Sequence, residues 1–200
     1  MKKSFLVTGI CGVGKTTLGL ALSERGYRAY DMDAQPNLFA RIDKLTKRPV
    51  IAPDDSNLAQ VINSDWICDK AKMARIIARE SSSVTFYCGA ASNLAEIIPL
   101  FSGIFLLTAG QDLIRERLTH RTGNSYGKTR EVQDWIMTLQ APLERDMQNR
   151  GAVVIDANRP IDLVARDVIN RASHVHVNPL AVNALARVAS IALAILSGQP

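Results

Sequence analysis

The sequence predicts a three-layer α/β/α fold, a five-stranded parallel sheet covered by helices on both faces, and three observations carry that expectation. Short apolar runs alternate with segments of helical periodicity along most of the 200 residues. The first run passes through a glycine-rich turn straight into a helix. Polar residues gather after the carboxyl ends of the apolar runs, which is where open parallel sheets hold their ligands.

Each element has its own signature. Ser4 to Thr8 is a strand buried on both faces, because Phe5, Leu6 and Val7 are apolar without alternation. A helix starts at Lys15 and runs to Arg25 through Leu18, Leu20 and Leu22. Tyr27 to Tyr30 is a short second strand that ends at Asp31-Met-Asp33, and Pro36, Pro49 and Pro53 punctuate a mixed region after it. Ser64 to Glu80 reads as one helix, with Trp66, Ile67, Met73, Ile76 and Ile77 apolar and Lys70, Lys72, Arg75 and Arg79 charged. Val84 to Cys88 is the third strand, Asn93 to Leu100 a helix, Ile104 to Leu107 the fourth strand and Gln111 to His120 a helix. Thr129 to Arg150 is helical with a break expected at Pro142, Val153 to Asp156 is the fifth strand, and a helix covers Ile161 to Ala172. His174 to Pro179 is the boundary, so residues 1–173 form one domain and residues 174–200 a C-terminal apolar helical extension. There Leu185, Val188, Ile191 and Ile195 recur at helical spacing, which suits packing on the core or on a second subunit as a homodimer.

Composition narrows the function. Lys and Arg total 24 against 19 Asp and Glu, but the cations are spread through helices rather than gathered in a block. Aromatic residues do not interleave with them, so a platform for single-stranded nucleic acid is not expected, and small polyanions account for the excess. The uncharged stretch 188–200 is too short to span a bilayer, and no membrane role is expected. Cys11, Cys68 and Cys88 lack metal-ligand or disulfide spacing, which favours a reducing cytoplasm. The apolar residues after Met1-Lys2-Lys3 flow into the glycine turn instead of an export signal.

Gly9-Ile-Cys-Gly-Val-Gly-Lys15-Thr16 is a complete phosphate-binding loop between strand and helix. Its glycines let successive N–H groups turn onto an anion, the helix start adds its positive dipole end, Lys15 meets the β- and γ-phosphates, and Thr16 offers a hydroxyl to Mg²⁺. The nucleotide-binding set is therefore Gly9, Cys11, Gly12, Val13, Gly14, Lys15, Thr16 and Thr17. Cys11 is read as a small residue that fits the loop.

This loop, the Asp-x-Asp after strand two, Gly89 after strand three, the arginines at 115, 117 and 121 and Asp156-Ala-Asn-Arg-Pro160 together resemble a small P-loop kinase. The resemblance is to the nucleoside-monophosphate-kinase and shikimate-kinase group and covers residues 4 to about 172. It implies ATP and Mg²⁺ as cofactors and a small-molecule phosphoryl acceptor. It further implies that Thr16 and Asp31 support the metal, that Asp31 and Asp33 lie beside the acceptor, and that Asp33 holds or deprotonates its hydroxyl. Strand three ends without the carboxylate of P-loop ATPases, and Gly89 fits the kinase branch by leaving space for substrate. Residues of about 115–130 would form a lid, with Lys15, Asp33, Arg117 and Arg121 as the catalytic set and Arg117 also on the nucleotide. Asn158, Arg159 and Pro160 would surround the base. A nucleotide-dependent accessory ATPase or switch, acting on a protein partner, is the alternative.

Overall fold

The first apolar run becomes the middle strand of the sheet, which is why Phe5, Leu6 and Val7 are all fully buried. The computed structural model describes residues 2–122 and 125–174. From β1 (Lys3–Thr8) the chain turns through the glycine loop into α1 (Lys15–Glu24) and returns as β2 (Arg28–Asp31). An excursion follows, made of β3 (Phe39–Asp43), α2 (Leu58–Ile62) and β4 (Ser64–Cys68). The chain then continues through α3 (Lys70–Arg79), β5 (Val84–Cys88), α4 (Leu94–Ile97) and β6 (Gly103–Thr108). Last come α5 (Gln111–His120), α6 (Arg130–Asn149), β7 (Val153–Asp156) and α7 (Ile161–His174).

The five strands expected from the sequence form one parallel sheet in the order β2-β5-β1-β6-β7. Side-chain alternation splits its core in two. Phe5, Val7, Phe86 and Phe105 pack with Leu18 and Leu22 of α1 and with Val164 and Val168 of α7. Leu6, Tyr87 and Leu106 pack on the opposite face with Met73 and Ile77 of α3 and with Leu94 and Ile97. Helices thus lie on both faces, and the loops at the strands' carboxyl ends meet along one rim.

Two expectations need correction. Ser64 to Cys68 is a strand, not the start of a helix: β4 pairs antiparallel with β3, setting Phe39 against Cys68 and Arg41 against Trp66. The helix begins only after Asp69, whose side chain accepts from Lys72 N (2.9 Å) as an N-cap. The mixed proline-punctuated region accordingly holds an ordered strand, β3, and the short α2. Finally, α6 runs unbroken through Pro142. A proline removes one helical hydrogen bond and crowds the preceding turn. Burial of Ile136 and Met137 before it, and of Met147 after it, holds both halves in line. The expected terminal helix and the dimer contact fall on residues outside those described.

Candidate functional site

The loop after β1 has the backbone geometry that its glycines suggested. Gly9 has φ +145, and a Cβ there would stand 2.6 Å from Leu107 O on β6, so only glycine lets the loop leave the sheet at this point. Gly14, at φ +110, is the N-cap of α1 and supplies no side-chain cap, leaving the first-turn amides facing outward. Val13 and Ile10 are buried and anchor the loop. Lys15 folds back across it, with Nζ donating to Gly9 O (2.8 Å) and Ile10 O (3.0 Å). A ring of amides around a mobile ammonium at a helix start suits a polyphosphate.

The acidic pair joins this loop. Thr16 Oγ1 donates to Asp31 Oδ2 (2.9 Å), and Asp31 Oδ1 accepts from Asp33 N (3.0 Å). Asp33 in turn accepts from Trp66 Nε1 (3.1 Å). One side of Asp33 is open to solvent, yet its carboxyl stands among enough protein atoms that burial raises its pKa above the ordinary carboxylate value. The Trp66 hydrogen bond and the charge of Lys15 act the other way.

Trp66 reaches Asp33 because β4 is pinned. Trp66 N donates to Ser92 Oγ (2.9 Å), Ser92 N donates to Trp66 O (2.7 Å), and the Asn93 side chain exchanges two 3.0 Å hydrogen bonds with the backbone of Cys68. Asn93 therefore docks the hairpin and makes no side-chain cap on α4. The strand pleat sets Phe39, Arg41 and Trp66 on the same face of β3 and β4, the face that meets Asp33. Phe39 and Trp66 stack with centroids 5.1 Å apart, and the Arg41 guanidinium lies over Trp66 (5.5 Å) and near Tyr126 (5.9 Å). Burial, with Cys11 close by, pushes the Tyr126 hydroxyl up to about 12 against the pull of Arg41 and Arg121.

Two of the three arginines turn toward the loop. Arg117 Nη1 donates to Val13 O (2.9 Å) and Nη2 to Ala157 O (3.0 Å), so the guanidinium ties the phosphate loop to the turn after β7. Burial holds its pKa below the usual arginine value. Arg121 Nη1 donates to Cys11 Sγ (3.1 Å). Arg115 pairs instead with Asp134 on α6 (2.7 Å). Arg115 and Arg117 belong to α5, so the segment between helices begins only at Arg121, where Lys128 caps α5 by donating to Thr119 O (3.1 Å) and Arg121 O.

Other expected residues have different neighbours. At Gly89 a Cβ would stand 2.7 Å from Met32 Cβ, and Met32 is fully buried, so the missing side chain makes room for Met32. Arg159 is engaged by Asp167 (2.8 Å) and Asp156 O (3.1 Å). Asn158 accepts from Gly110 N (2.9 Å), which fastens the turn before Pro160 to the start of α5. Arg41 and Asp55 carry no motif in the sequence, and Trp66 reads there only as an apolar position. The alternation of Phe39, Arg41 and Asp43, matched by Ser64, Trp66 and Cys68, was the available signal.

With this geometry the comparisons with known proteins agree. The profile of a family described as an AAA domain matches residues 6–138. The chain belongs to that family. The AAA-domain match takes in the phosphate loop, the acidic pair, the hairpin and both inward arginines. "Uncharacterized protein YqaC" of Bacillus subtilis (strain 168) is 33% identical over 131 residues, 64% of this chain. The match spans 61% of that relative's length. Among solved structures, a shikimate kinase from Bacteroides thetaiotaomicron superposes with a TM-score of 0.56 at 15% identity, covering 86% of this chain and 98% of its own. A deoxyadenosine kinase from M. mycoides with bound dATP gives 0.54 at 10% identity, covering 85% and 99%. At such identities the likeness shows the fold, that of P-loop α/β proteins.

Proposed function

We propose that this protein is a P-loop kinase that moves the γ-phosphoryl group of ATP to a hydroxyl or phosphate group of a small acceptor lying between Asp33 and the β3–β4 hairpin. The observation that carries this reading is the continuous chain of contacts Thr16–Asp31–Asp33–Trp66, which joins the phosphate loop to the β3–β4 hairpin. The fold shared with shikimate and deoxyadenosine kinases supports it.

The loop fits a triphosphate, since uncapped amides and a flexible ammonium converge on one place. Thr16 and Asp31 supply hard oxygen atoms of the kind Mg²⁺ takes, and among the described residues no group of three or more His, Cys, Asp or Glu competes for such an ion. Mg²⁺, when bound, would neutralise phosphate charge. The chain's own residues do the rest. Lys15 exchanges its two loop carbonyls for phosphate oxygens. Asp33 orients the acceptor hydroxyl and takes its proton. Arg121, held over the loop at Cys11, adds positive charge beside the transferring group, and Arg117 keeps the loop registered against the turn after β7. Residues 1–173 form the working unit.

A coupled assay for ADP, with ATP and Mg²⁺ and a panel of hydroxy acids, sugars, nucleosides and nucleoside monophosphates, tests the reading. Acceptor-dependent ADP release is expected, falling by at least ~10²-fold in Lys15→Ala. ADP release at one rate whatever the acceptor would overturn it and support the accessory-ATPase alternative.

A further inference from the structure

Arg41 is the unusual cation of the hairpin. Its side chain is only 10% exposed, and it is held by Trp66 on one side and Tyr126 near the other. Nη1 donates to Ser64 Oγ (3.3 Å) and Nη2 to Asp55 Oδ1. Its Nε is buried and, among the described residues, has no hydrogen-bond partner. Nε and Nη2 form the edge of the guanidinium that a carboxylate or phosphate grips with two parallel bonds. Asp55 holds one half of that edge and leaves the other unused, at a place where a buried donor without a partner is costly.

Asp55 sits on a surface loop. Residues 51–57 are all exposed apart from Asp55 itself, so the aspartate alone dips from this loop toward the hairpin. The rest of the loop is tied to α2, where Asp54 N donates to Gln60 Oε1 and Asn57 Oδ1 accepts from Gln60 N (3.1 Å), and to the start of α6 by a long hydrogen bond from Thr129 Oγ1 to Ser56 O (3.5 Å). Trp66 meanwhile touches both Arg41 and Asp33. One indole thus links the two charges, Arg41 over its ring and Asp33 at its N–H edge.

We infer that Asp55 is a built-in stand-in for an anionic group of the acceptor: a carboxylate or phosphate takes the Nε–Nη2 edge of Arg41 and releases the 51–57 loop. This deepens the kinase reading and rests on it for the acceptor's hydroxyl, which lies at Asp33. The acceptor class is then a hydroxylated small molecule that also carries an anionic group, the hydroxyl at Asp33 and the anion at Arg41, on either side of Trp66. Asp55 in turn sets a threshold that neutral acceptors do not cross.

The test uses fluorescence without ATP, so it is independent of turnover. The chain has two tryptophans, and Trp135→Phe leaves Trp66 as the reporter. Shikimate supplies the carboxylate arm, glucose 6-phosphate the phosphate arm and glucose the neutral control. In Asp55→Asn at least one anionic probe is expected to bind about tenfold more tightly than in the unsubstituted protein, since one charged competitor is gone. Arg41→Gln should lose that binding, Asp55→Glu should keep the original affinity, and glucose should bind none of the forms. In the unsubstituted chain, saturation with the same probe should speed amide exchange in residues 54–57. Unchanged affinity in Asp55→Asn, binding retained in Arg41→Gln, no response to either anion, or slower exchange at 54–57 overturns the inference. A clear Asp55 effect with no acceptor-dependent ADP release would leave it standing and remove the kinase reading instead.

Discussion

Replacing Arg117 with methionine isolates what the guanidinium does, because the stem keeps much of its packing while both hydrogen bonds are lost. The two acceptors, Val13 O at 2.9 Å and Ala157 O at 3.0 Å, belong to residues that are 1% and 5% exposed. Water reaches neither residue well. An acceptor stranded in this way costs ~1–3 kcal/mol, and the burial cost of the charge itself, visible in the lowered Arg117 pKa, is recovered on substitution. The net loss is then ~2–3 kcal/mol. For a chain of this length 1 kcal/mol corresponds to about 2–4 °C, so thermal denaturation without nucleotide should show Tm lower by about 4–12 °C. Arg117→Lys, with one ammonium in place of the fork, should recover about half of the loss. If Arg117→Met melts within about 1 °C of the unsubstituted protein, the guanidinium does not hold the two loops together and the reasoning fails.

Further outcomes are expected. Gly89→Ala forces a Cβ against Met32 and should lower stability by ~1–3 kcal/mol in denaturant titration; a variant as stable as the parent would show that the contact relaxes freely. The Asp33 carboxyl has a raised pKa, so its basic form appears only at higher pH than for an ordinary carboxylate. The acidic limb of kcat/KM should accordingly lie above that of an ordinary carboxylate. Trp66→Phe removes the hydrogen bond that lowers this pKa and should shift the limb to still higher pH, whereas an unmoved limb would take the proton-accepting role away from Asp33. Lys15→Ala should also abolish the heat of ATP binding in calorimetry, because the loop amides then face the triphosphate without their cation.

Sequence alone determined the parts whose signals are local. The glycine spacing from Gly9 to Gly14, the uninterrupted apolar strand before it and the helix after it are contiguous, so their geometry follows from neighbouring residues. The five sheet strands were legible for the same reason, each being a short apolar run between turns. Asp31, Asp33, Arg117 and Arg121 stand out through the resemblance to small P-loop kinases, and the structure gathers all four around the loop. Tertiary structure decided what depends on partners far away in sequence. Ser64 to Cys68 carries residues that also fit a helical stripe, and only pairing with Phe39–Asp43 makes it a strand. That pairing, in turn, brings Arg41 and Trp66 to the acidic pair. Gly89 is explained by Met32, and Arg117 by two carbonyls, one in the loop after β1 and one in the turn after β7. A side chain's period shows which face it shares, but the atoms waiting at that face are set by how the whole chain packs.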